Sequence, residues 1–192
     1  ALKNGMNVKL LFSQLKDIRK ETNIPLLFMG YLNPVLQYGI EKFCADCAGI
    51  GIDGVILPDL PLDVYGKEYR AIFEKNGIYN ICLITPQTTV ERIRKIDDAG
   101  SGFIYMVSSS STTGIRNSFG EKQIAYFRRI QEMKLKNPTL VGFGISTKES
   151  YYMASQYASG VIVGSAFVKM LSESKDLESD IPLFIGRLKG VK

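Results

Sequence analysis

Two segments decide the fold: TLVGFGIS at residues 139–146 and VIVGSA at residues 161–166. Each begins with a short apolar run that is rich in β-branched residues and ends on small residues such as glycine and serine. Continuous apolar runs of this length are typical of strands buried on both faces of a parallel sheet. Glycine after such a strand lets the backbone approach an oxyanion, to which exposed N–H groups can donate hydrogen bonds. The two segments therefore predict parallel strands that end at a phosphate site.

Four more apolar runs of the same character lie earlier in the chain, and amphipathic stretches such as residues 90–99 and 122–134 alternate with the runs. In these stretches apolar residues recur every three or four positions, which indicates a helix with one buried face. Alternation of strand and helix is typical of an α/β protein built around a parallel sheet. The predicted strands are Pro25–Tyr31, Gly54–Leu57, Ile81–Thr85, Gly102–Val107, Thr139–Gly144 and Val161–Val163.

The spacing of these strands favours a β/α barrel. Each strand–helix unit takes roughly 28 residues, close to the roughly 31 residues per unit of an eightfold barrel. Six strands cannot close such a barrel, so the chain either carries about six of eight units or forms a six-stranded open sheet. The phosphate motif after the last strand favours the barrel. We predict a single domain over residues 1–192, the C-terminal three-quarters of a TIM (β/α)8 barrel, which opens on a helix at Lys3–Lys20.

Small polar residues follow the last three predicted strands, at residues 108–114, 142–146 and 164–166. TIM barrels bind phosphate after their last two strands, where the N-terminus of a short helix adds its dipole. A helix that begins after Gly164 would do so here. We expect a phosphate site at these strand ends, and we interpret the long Ser/Thr-rich loop 108–120 as a lid rather than an inert connection.

The composition excludes several kinds of chemistry. The chain has no histidine, which excludes histidine-activated nucleophiles and histidine-ligated metals and leaves Asp, Glu, Lys, Tyr and Cys for proton transfer. Cys44 and Cys47 form a C-x-x-C motif, for which a redox or zinc site is one interpretation. The other interpretation is that two small apolar residues pack on the buried face of a helix. We prefer it because no second C-x-x-C is present.

Charge and hydropathy bear on the partners. The net charge of +5 is spread over the helical stretches without an arginine tract, so nucleic-acid binding is not indicated. No apolar run reaches the roughly 18–20 residues of a membrane helix, and the N-terminal residues lack the order of a signal peptide. We expect a cytoplasmic protein that does not bind membranes.

Four segments together resemble the tryptophan synthase alpha subunit family. They are MGYLNP at 29–34, DGVILPDLP at 53–61, GFIY at 102–105 with the Ser/Thr run to Gly114, and GFGIS at 142–146 with GSA at 164–166. Their order and spacing match the family across nearly the whole chain. Other phosphate-binding barrels share the glycine motifs, whereas the Tyr-Leu-Asn-Pro and Asp-Leu-Pro segments distinguish this family.

The resemblance implies a lyase of tryptophan biosynthesis that cleaves indole-3-glycerol phosphate to indole and glyceraldehyde 3-phosphate. This retro-aldol reaction needs a general acid for the indole ring and a general base for a glycerol hydroxyl. The family's two catalytic carboxylates belong to units before Ala1, so no catalytic residue is assigned within the 192 residues. We expect this chain alone to bind phosphate poorly and to catalyse little, and the parent protein to do both.

The resemblance also assigns site residues. Asp59 is expected to orient neighbouring groups rather than to transfer protons, on the face that docks the beta subunit of an α2β2 heterotetramer. Pyridoxal phosphate belongs to that partner, and no cofactor is expected in this chain. For Tyr31 and Tyr105, core packing is the alternative to a role in binding substrate. The assignments are Tyr31, Ile56, Tyr105, Thr113 and Phe143 for substrate; Gly114, Gly144, Gly164 and Ser165 for phosphate; and Asp59, Asn33, Pro34 and Pro61 for orientation and the interface.

Two other functions are alternatives. Another phosphate-binding barrel enzyme, such as an isomerase, would need its own acid and base at the strand ends, where Asp59 is the only candidate, so the sequence speaks against this alternative. The second alternative is a non-catalytic, truncated homologue that acts as an interaction or allosteric partner of a beta subunit.

Overall fold

The computed structural model of the protein describes residues 5–108 and 119–191. The strands are β1 Leu27–Met29, β2 Gly54–Ile56, β3 Tyr79–Asn80, β4 Cys82–Ile84, β5 Ile104–Val107, β6 Thr139–Gly142 and β7 Gly160–Ile162. The α-helices are α1 Val8–Leu15, α2 Ile18–Glu21, α3 Leu32–Tyr38, α4 Ile40–Ile50, α5 Leu62–Val64, α6 Arg70–Lys75, α7 Val90–Ala99, α8 Glu121–Glu132, α9 Lys148–Ser155, α10 Ser165–Glu173 and α11 Leu177–Lys189, with a π-helical turn at Tyr65–Tyr69.

The chain divides into two compact units. The first contains residues 1–82 and 98–102, and the second contains residues 83–97 and 103–192. β1, β2 and β3 form one sheet in that order, and β4 to β7 form another in chain order. The pairs β1–β2, β2–β3, β5–β6 and β6–β7 are parallel. The predicted parallel α/β organisation is therefore confirmed, while the prediction of a single domain stays a prediction.

All six predicted strands are present to within two residues of their predicted ends. β3 was missed because its two residues lack an apolar run: Tyr79 is 51% exposed and Asn80 is polar. The helix predicted at Lys3–Lys20 is two helices, α1 and α2, and the Asn7 side chain caps the first by accepting from the Leu10 N–H at 3.0 Å.

The core of the first unit packs α1 and α4 against the sheet. Phe12 lies against Phe28 and Phe43, with ring centroids 5.8 and 5.7 Å away. Cys44 and Cys47 are fully buried in the same core, as free thiols, and burial raises the pKa of both to about 12. No group of residues suited to hold a metal ion occurs in the described part of the chain. The interpretation of the C-x-x-C motif as core packing is confirmed.

Asp97, in the last turn of α7, holds the segment that leads into β6 in the second unit. Its buried carboxylate accepts from the Lys136 N–H at 2.9 Å, the Asn137 N–H at 3.0 Å and the Asn137 side-chain amide at 2.9 Å. Burial by itself would raise the pKa of this carboxyl, but the hydrogen bonds outweigh burial and hold the pKa of Asp97 below its ordinary value. β6 is thereby anchored at its start, and its far end carries the candidate site.

α7 has the predicted bounds, and Thr89 caps it by accepting from the Arg92 N–H at 3.2 Å. The spacing of Val90, Ile93 and Ile96 predicts that they share the buried face of α7. Ile93 and Ile96 are buried, whereas Val90 is exposed. Among the helices of the described residues, none is long and apolar enough to cross a membrane.

Candidate functional site

Three strands of the second unit end at the same level of their sheet. Val107 at the end of β5 pairs with Gly142 at the end of β6, and Gly142 pairs with Ile162 at the end of β7. Gly144 and Gly164 each lie two residues past such a pair. The predicted phosphate residues Gly144, Gly164 and Ser165 therefore follow neighbouring parallel strands, whose backbones are roughly 4.8 Å apart. Thr113 and Gly114 lie outside the described residues.

The turn after β6 exposes a backbone donor, the N–H of Gly144. Phe143 and Gly144 both adopt left-handed backbone angles, with φ of 66° and 77°. Gly144 is exposed, and its N–H has no acceptor among the described residues. A Cβ atom on Gly144 would lie 3.5 Å from the Phe119 ring, an ordinary contact, so the backbone angle rather than space favours glycine here.

The turn after β7 leads directly into α10. Gly164 is the N-cap of this nine-residue helix, and no side chain caps it. The first turn contains no acidic residue, and Ser165 at its first position is exposed. The first N–H groups of a helix have no intrahelical acceptor, and the helix dipole is positive there. This end of α10 is therefore suited to bind an anion.

An aromatic pair lies beside these turns. The rings of Tyr105 and Phe143 are stacked, with centroids 6.0 Å apart and planes inclined by 18°. Tyr105 is 5% exposed and Phe143 is 37% exposed, so Phe143 presents part of its ring outside the core. A Cβ atom on Gly142 would come 2.0 Å from the Tyr105 ring, which only glycine at this position avoids. Burial raises the pKa of Tyr105, so its hydroxyl stays protonated at neutral pH.

In the first unit, Asp59 connects the loop after β2 to the first turn of α3. Both of its carboxylate oxygens accept from the Leu32 N–H, at 2.9 and 3.0 Å. Leu32 is the first residue of α3, which also carries Asn33 and Pro34, and Pro61 is the N-cap residue of α5. Asp59 thus holds the first turn of α3 against the loop after β2, which is an orienting contact.

The remaining two predicted substrate residues also lie in the first unit. Ile56 is the last residue of β2 and is buried. Tyr31 directly precedes α3 and is 71% exposed, so core packing does not account for Tyr31 in this unit.

Sequence reasoning missed the contacts that hold the β6 turn. The Ser108 hydroxyl donates to the Phe143 carbonyl at 2.5 Å, and the Gln123 side-chain amide donates to the Ser108 carbonyl at 3.2 Å. The same Gln123 side chain accepts from the Gly120 N–H at 2.9 Å. Gln123 stands three positions after Gly120, the residue before α8, and glutamine at this position is a known helix-capping pattern. The sequence could therefore have predicted the contact between Gln123 and Gly120. The contact between Ser108 and Phe143 has no local signal.

The second unit has two cavities that the predicted phosphate residues do not line. One, of about 470 Å³, lies near the start of β6 and is lined by the 134–139 segment and residues 156–159. The other, of about 330 Å³, lies between α10 and α11. Neither contains Gly144 or Gly164. We place the candidate site at the strand ends, because unpaired N–H groups and a helix N-terminus recognise an anion and an empty volume alone does not.

Comparison with known proteins decides the family. The sequence profile of the tryptophan synthase alpha chain matches residues 1–182. The chain belongs to the tryptophan synthase alpha chain family. The tryptophan synthase alpha chain of Flavobacterium johnsoniae is 58% identical over 189 residues, which are 98% of this chain and 74% of that protein. The alpha chain of Bacteroides thetaiotaomicron is 55% identical over 181 residues, 94% of this chain and 71% of that protein.

Solved structures of tryptophan synthase alpha subunits show the same fold. The subunit from the hyperthermophile Pyrococcus furiosus matches with a TM-score of 0.84 and 33% identity, over 100% of this chain and 77% of that one. A chain in a structure of the Pyrococcus furiosus α2β2 complex matches with a TM-score of 0.85 and 35% identity, again over 100% and 77%. The predicted fold class, that of the TIM barrel, is thereby confirmed, and membership of this family gives the protein a role in tryptophan biosynthesis.

Proposed function

We propose that the protein cleaves indole-3-glycerol phosphate to indole and glyceraldehyde 3-phosphate, as the alpha subunit of tryptophan synthase. One structural observation carries the proposal. Three strand ends in register lead to the N–H of Gly144, which has no acceptor among the described residues, and to the uncapped N-terminus of α10. That arrangement fits the phosphate of such a substrate, and it occurs in a chain of the corresponding family.

The phosphate is proposed to accept hydrogen bonds from the backbone of Gly144, Gly164 and Ser165. The Ser165 hydroxyl is exposed at the first position of α10 and adds a further donor. Gly114 is proposed to contribute from the loop outside the described residues. Charge-assisted hydrogen bonds of this kind are about twice as strong as neutral ones, so they would supply much of the substrate affinity.

The stacked pair of Tyr105 and Phe143 is proposed to form an apolar wall for the indole ring. Tyr105 is fixed by burial, and the partly exposed ring of Phe143 offers a flat surface for aromatic contact. Tyr31, Ile56 and Thr113 are carried over from the family as further substrate residues, and they remain proposals.

Proton transfer is proposed to depend on two carboxylates that the family places before the position of Ala1. Asp59 is a poor substitute, since both of its carboxylate oxygens accept from the Leu32 N–H. The alternative function is that of a non-catalytic interaction or allosteric partner of a beta subunit. Cleavage of indole-3-glycerol phosphate separates the two functions, because a non-catalytic partner would stimulate a beta subunit without cleaving this substrate.

A charge placed in the first turn of α10 tests the proposed phosphate site. Ser165→Asp puts a carboxylate where the phosphate is proposed to bind, and the helix dipole tolerates it. We expect its affinity for glycerol 3-phosphate, measured by titration calorimetry, to fall at least roughly tenfold, with little change in the free energy of unfolding.

Ser172→Asp is the matched control, because it adds the same charge to the last turn of the same helix, where Ser172 is exposed. We expect this variant to bind glycerol 3-phosphate as the wild type does. The variants are made in the parent protein, which is the form expected to bind phosphate. If that protein bound no glycerol 3-phosphate, or if both variants lost affinity equally, the proposed phosphate site would be wrong.

A further inference from the structure

Ser108 lies at the end of β5, beside the turn that carries Gly144. Its side chain is buried, with 1% of the residue exposed. Its hydroxyl donates to the carbonyl of Phe143 at 2.5 Å, across 35 positions of sequence. Buried hydroxyls are usually hydrogen-bonded, and the partner of this one is the carbonyl of Phe143, a residue in a left-handed conformation.

This contact determines which way the next peptide N–H points. The described residues contain no cis peptide bond, and in a trans peptide the carbonyl and the N–H point in opposite directions. Because the Phe143 carbonyl points at the Ser108 hydroxyl, the Gly144 N–H of the same peptide points away from it. Gly144 is exposed, and no described residue accepts from this N–H.

The turn at Phe143 needs a contact that holds its backbone, such as the hydrogen bond from Ser108. A left-handed φ of 66° is unfavourable for a residue with a side chain, so Phe143 keeps it only where surrounding groups hold the backbone. Ser108 is itself fixed from two more directions. Its N–H donates to the Gly142 carbonyl at 3.1 Å, and its own carbonyl accepts from the Gln123 side chain at 3.2 Å.

We propose that Ser108 is a positioning residue of the phosphate site. Its hydroxyl holds the Phe143–Gly144 peptide in the orientation in which the Gly144 N–H donates to an oxygen of a phosphate monoester. The inference rests on the proposed function and goes beyond it, because Ser108 is too deeply buried to contact the ligand and acts through Gly144.

The test compares variants of Ser108 by their affinity for glycerol 3-phosphate, measured by titration calorimetry, and by their free energy of unfolding in urea. Ser108→Ala removes the hydroxyl, and we expect its affinity to fall roughly tenfold, as for the loss of one oriented hydrogen bond to a charged group. Ser108→Thr keeps a hydroxyl, and we expect affinity within about threefold of the wild type. Ser108→Cys keeps the volume with a weak donor and should lose affinity as the alanine variant does.

Ser101→Ala is the matched control. It removes a serine hydroxyl that accepts from the Asn80 N–H at 3.3 Å in the first unit. We expect it to lower stability without lowering affinity for glycerol 3-phosphate. This pair of readouts separates positioning from a general loss of structure.

Each result has a defined meaning. Wild-type affinity in Ser108→Ala, or equal losses of affinity in Ser108→Thr and Ser108→Ala, would overturn the positioning role. If the alanine variant does not fold, the comparison of the cysteine and threonine variants decides in the same way. A parent protein that binds no glycerol 3-phosphate would instead refute the proposed function, and the role of Ser108 with it.

Discussion

Among single residues, Gly142 determines whether the Tyr105 ring can stack on Phe143. The Tyr105 ring occupies the space that a side chain at Gly142 would need, with a separation of 2.0 Å from the position of a Cβ atom. The position of this ring places Tyr105 against Phe143. Gly142 and Tyr105 are therefore coupled, although they lie on different strands, β6 and β5.

Gly142→Ala should lower the free energy of unfolding by about 1–3 kcal/mol, because the added methyl group displaces the Tyr105 ring from a packed position. When Tyr105→Ala has already removed the ring, the same substitution should cost much less. Urea denaturation of the two single variants and the double variant measures this coupling. Gly49→Ala is the control, since nothing lies within 4 Å of a Cβ atom there and α4 should gain about 0.5–1 kcal/mol. Additive costs of Gly142→Ala and Tyr105→Ala would contradict the steric explanation.

At the scale of secondary-structure elements, a carboxylate in each unit connects two elements that are not adjacent in the chain. Asp97 in α7 holds the segment before β6, and Asp59 holds the first turn of α3. Asp97 accepts from two backbone N–H groups, and Asp59 accepts from one. β6, a strand of the candidate site, thus depends on a charge at its opposite end.

The Asp97 contact predicts a dependence of stability on pH. The pKa of Asp97 is lowered in the folded protein, so its contribution is fully present above the unfolded value near ~3.9 and is lost as the pH falls through the lower folded-state value. Asp97→Asn should cost about 1.5–3 kcal/mol at neutral pH. Its free energy of unfolding should then fall less steeply than that of the wild type below about pH 5.

Urea denaturation at a series of pH values measures the effect. Asp63→Asn is the control, because Asp63 is exposed on α5 and makes no hydrogen bond among the described residues. It should reproduce the wild-type profile. An Asp97→Asn profile parallel to that of the wild type would show that the contact does not depend on charge.

At the scale of the whole molecule, the protein is proposed to assemble with a pyridoxal-phosphate beta subunit, as the Pyrococcus furiosus relative does in its α2β2 complex. The proposed docking residues are Asn33, Pro34, Asp59 and Pro61. They come from the first turn of α3 and from the loop after β2, which the Asp59 carboxylate connects through the Leu32 N–H. The interface is therefore expected to depend on Asp59 even where its carboxylate does not touch the partner.

Asp59→Ala should weaken the complex with the beta subunit by roughly five- to tenfold, corresponding to about 1 kcal/mol for the lost helix-capping contact. Sedimentation velocity with the purified beta subunit of the same organism measures the affinity. Asp63→Ala removes an exposed carboxylate four residues further along the chain and should leave the affinity unchanged. Equal affinities for the Asp59 variant and the wild type would exclude Asp59 from the interface.

The sequence by itself determined the six predicted strands, the helix boundaries of α7 and the glycines of the candidate phosphate site. These features have local causes: apolar runs, periodicity of 3–4 residues, capping threonines and small residues after strands. The strand β3 and the break between α1 and α2 escaped notice, because neither has a hydrophobic signal of its own. The assigned roles of the site residues came from resemblance to the family rather than from these patterns.

Only the tertiary structure decided which residues act on one another. The hydrogen bond from Ser108 to Phe143 joins residues 35 positions apart, and the packing of Tyr105 over Gly142 depends on the register between β5 and β6. Register is set by the pairing of strands and by the burial of their side chains, and a single segment contains neither. The sequence therefore predicted where the backbone could approach a phosphate, and the folded sheet brought Ser108 against the turn at that place.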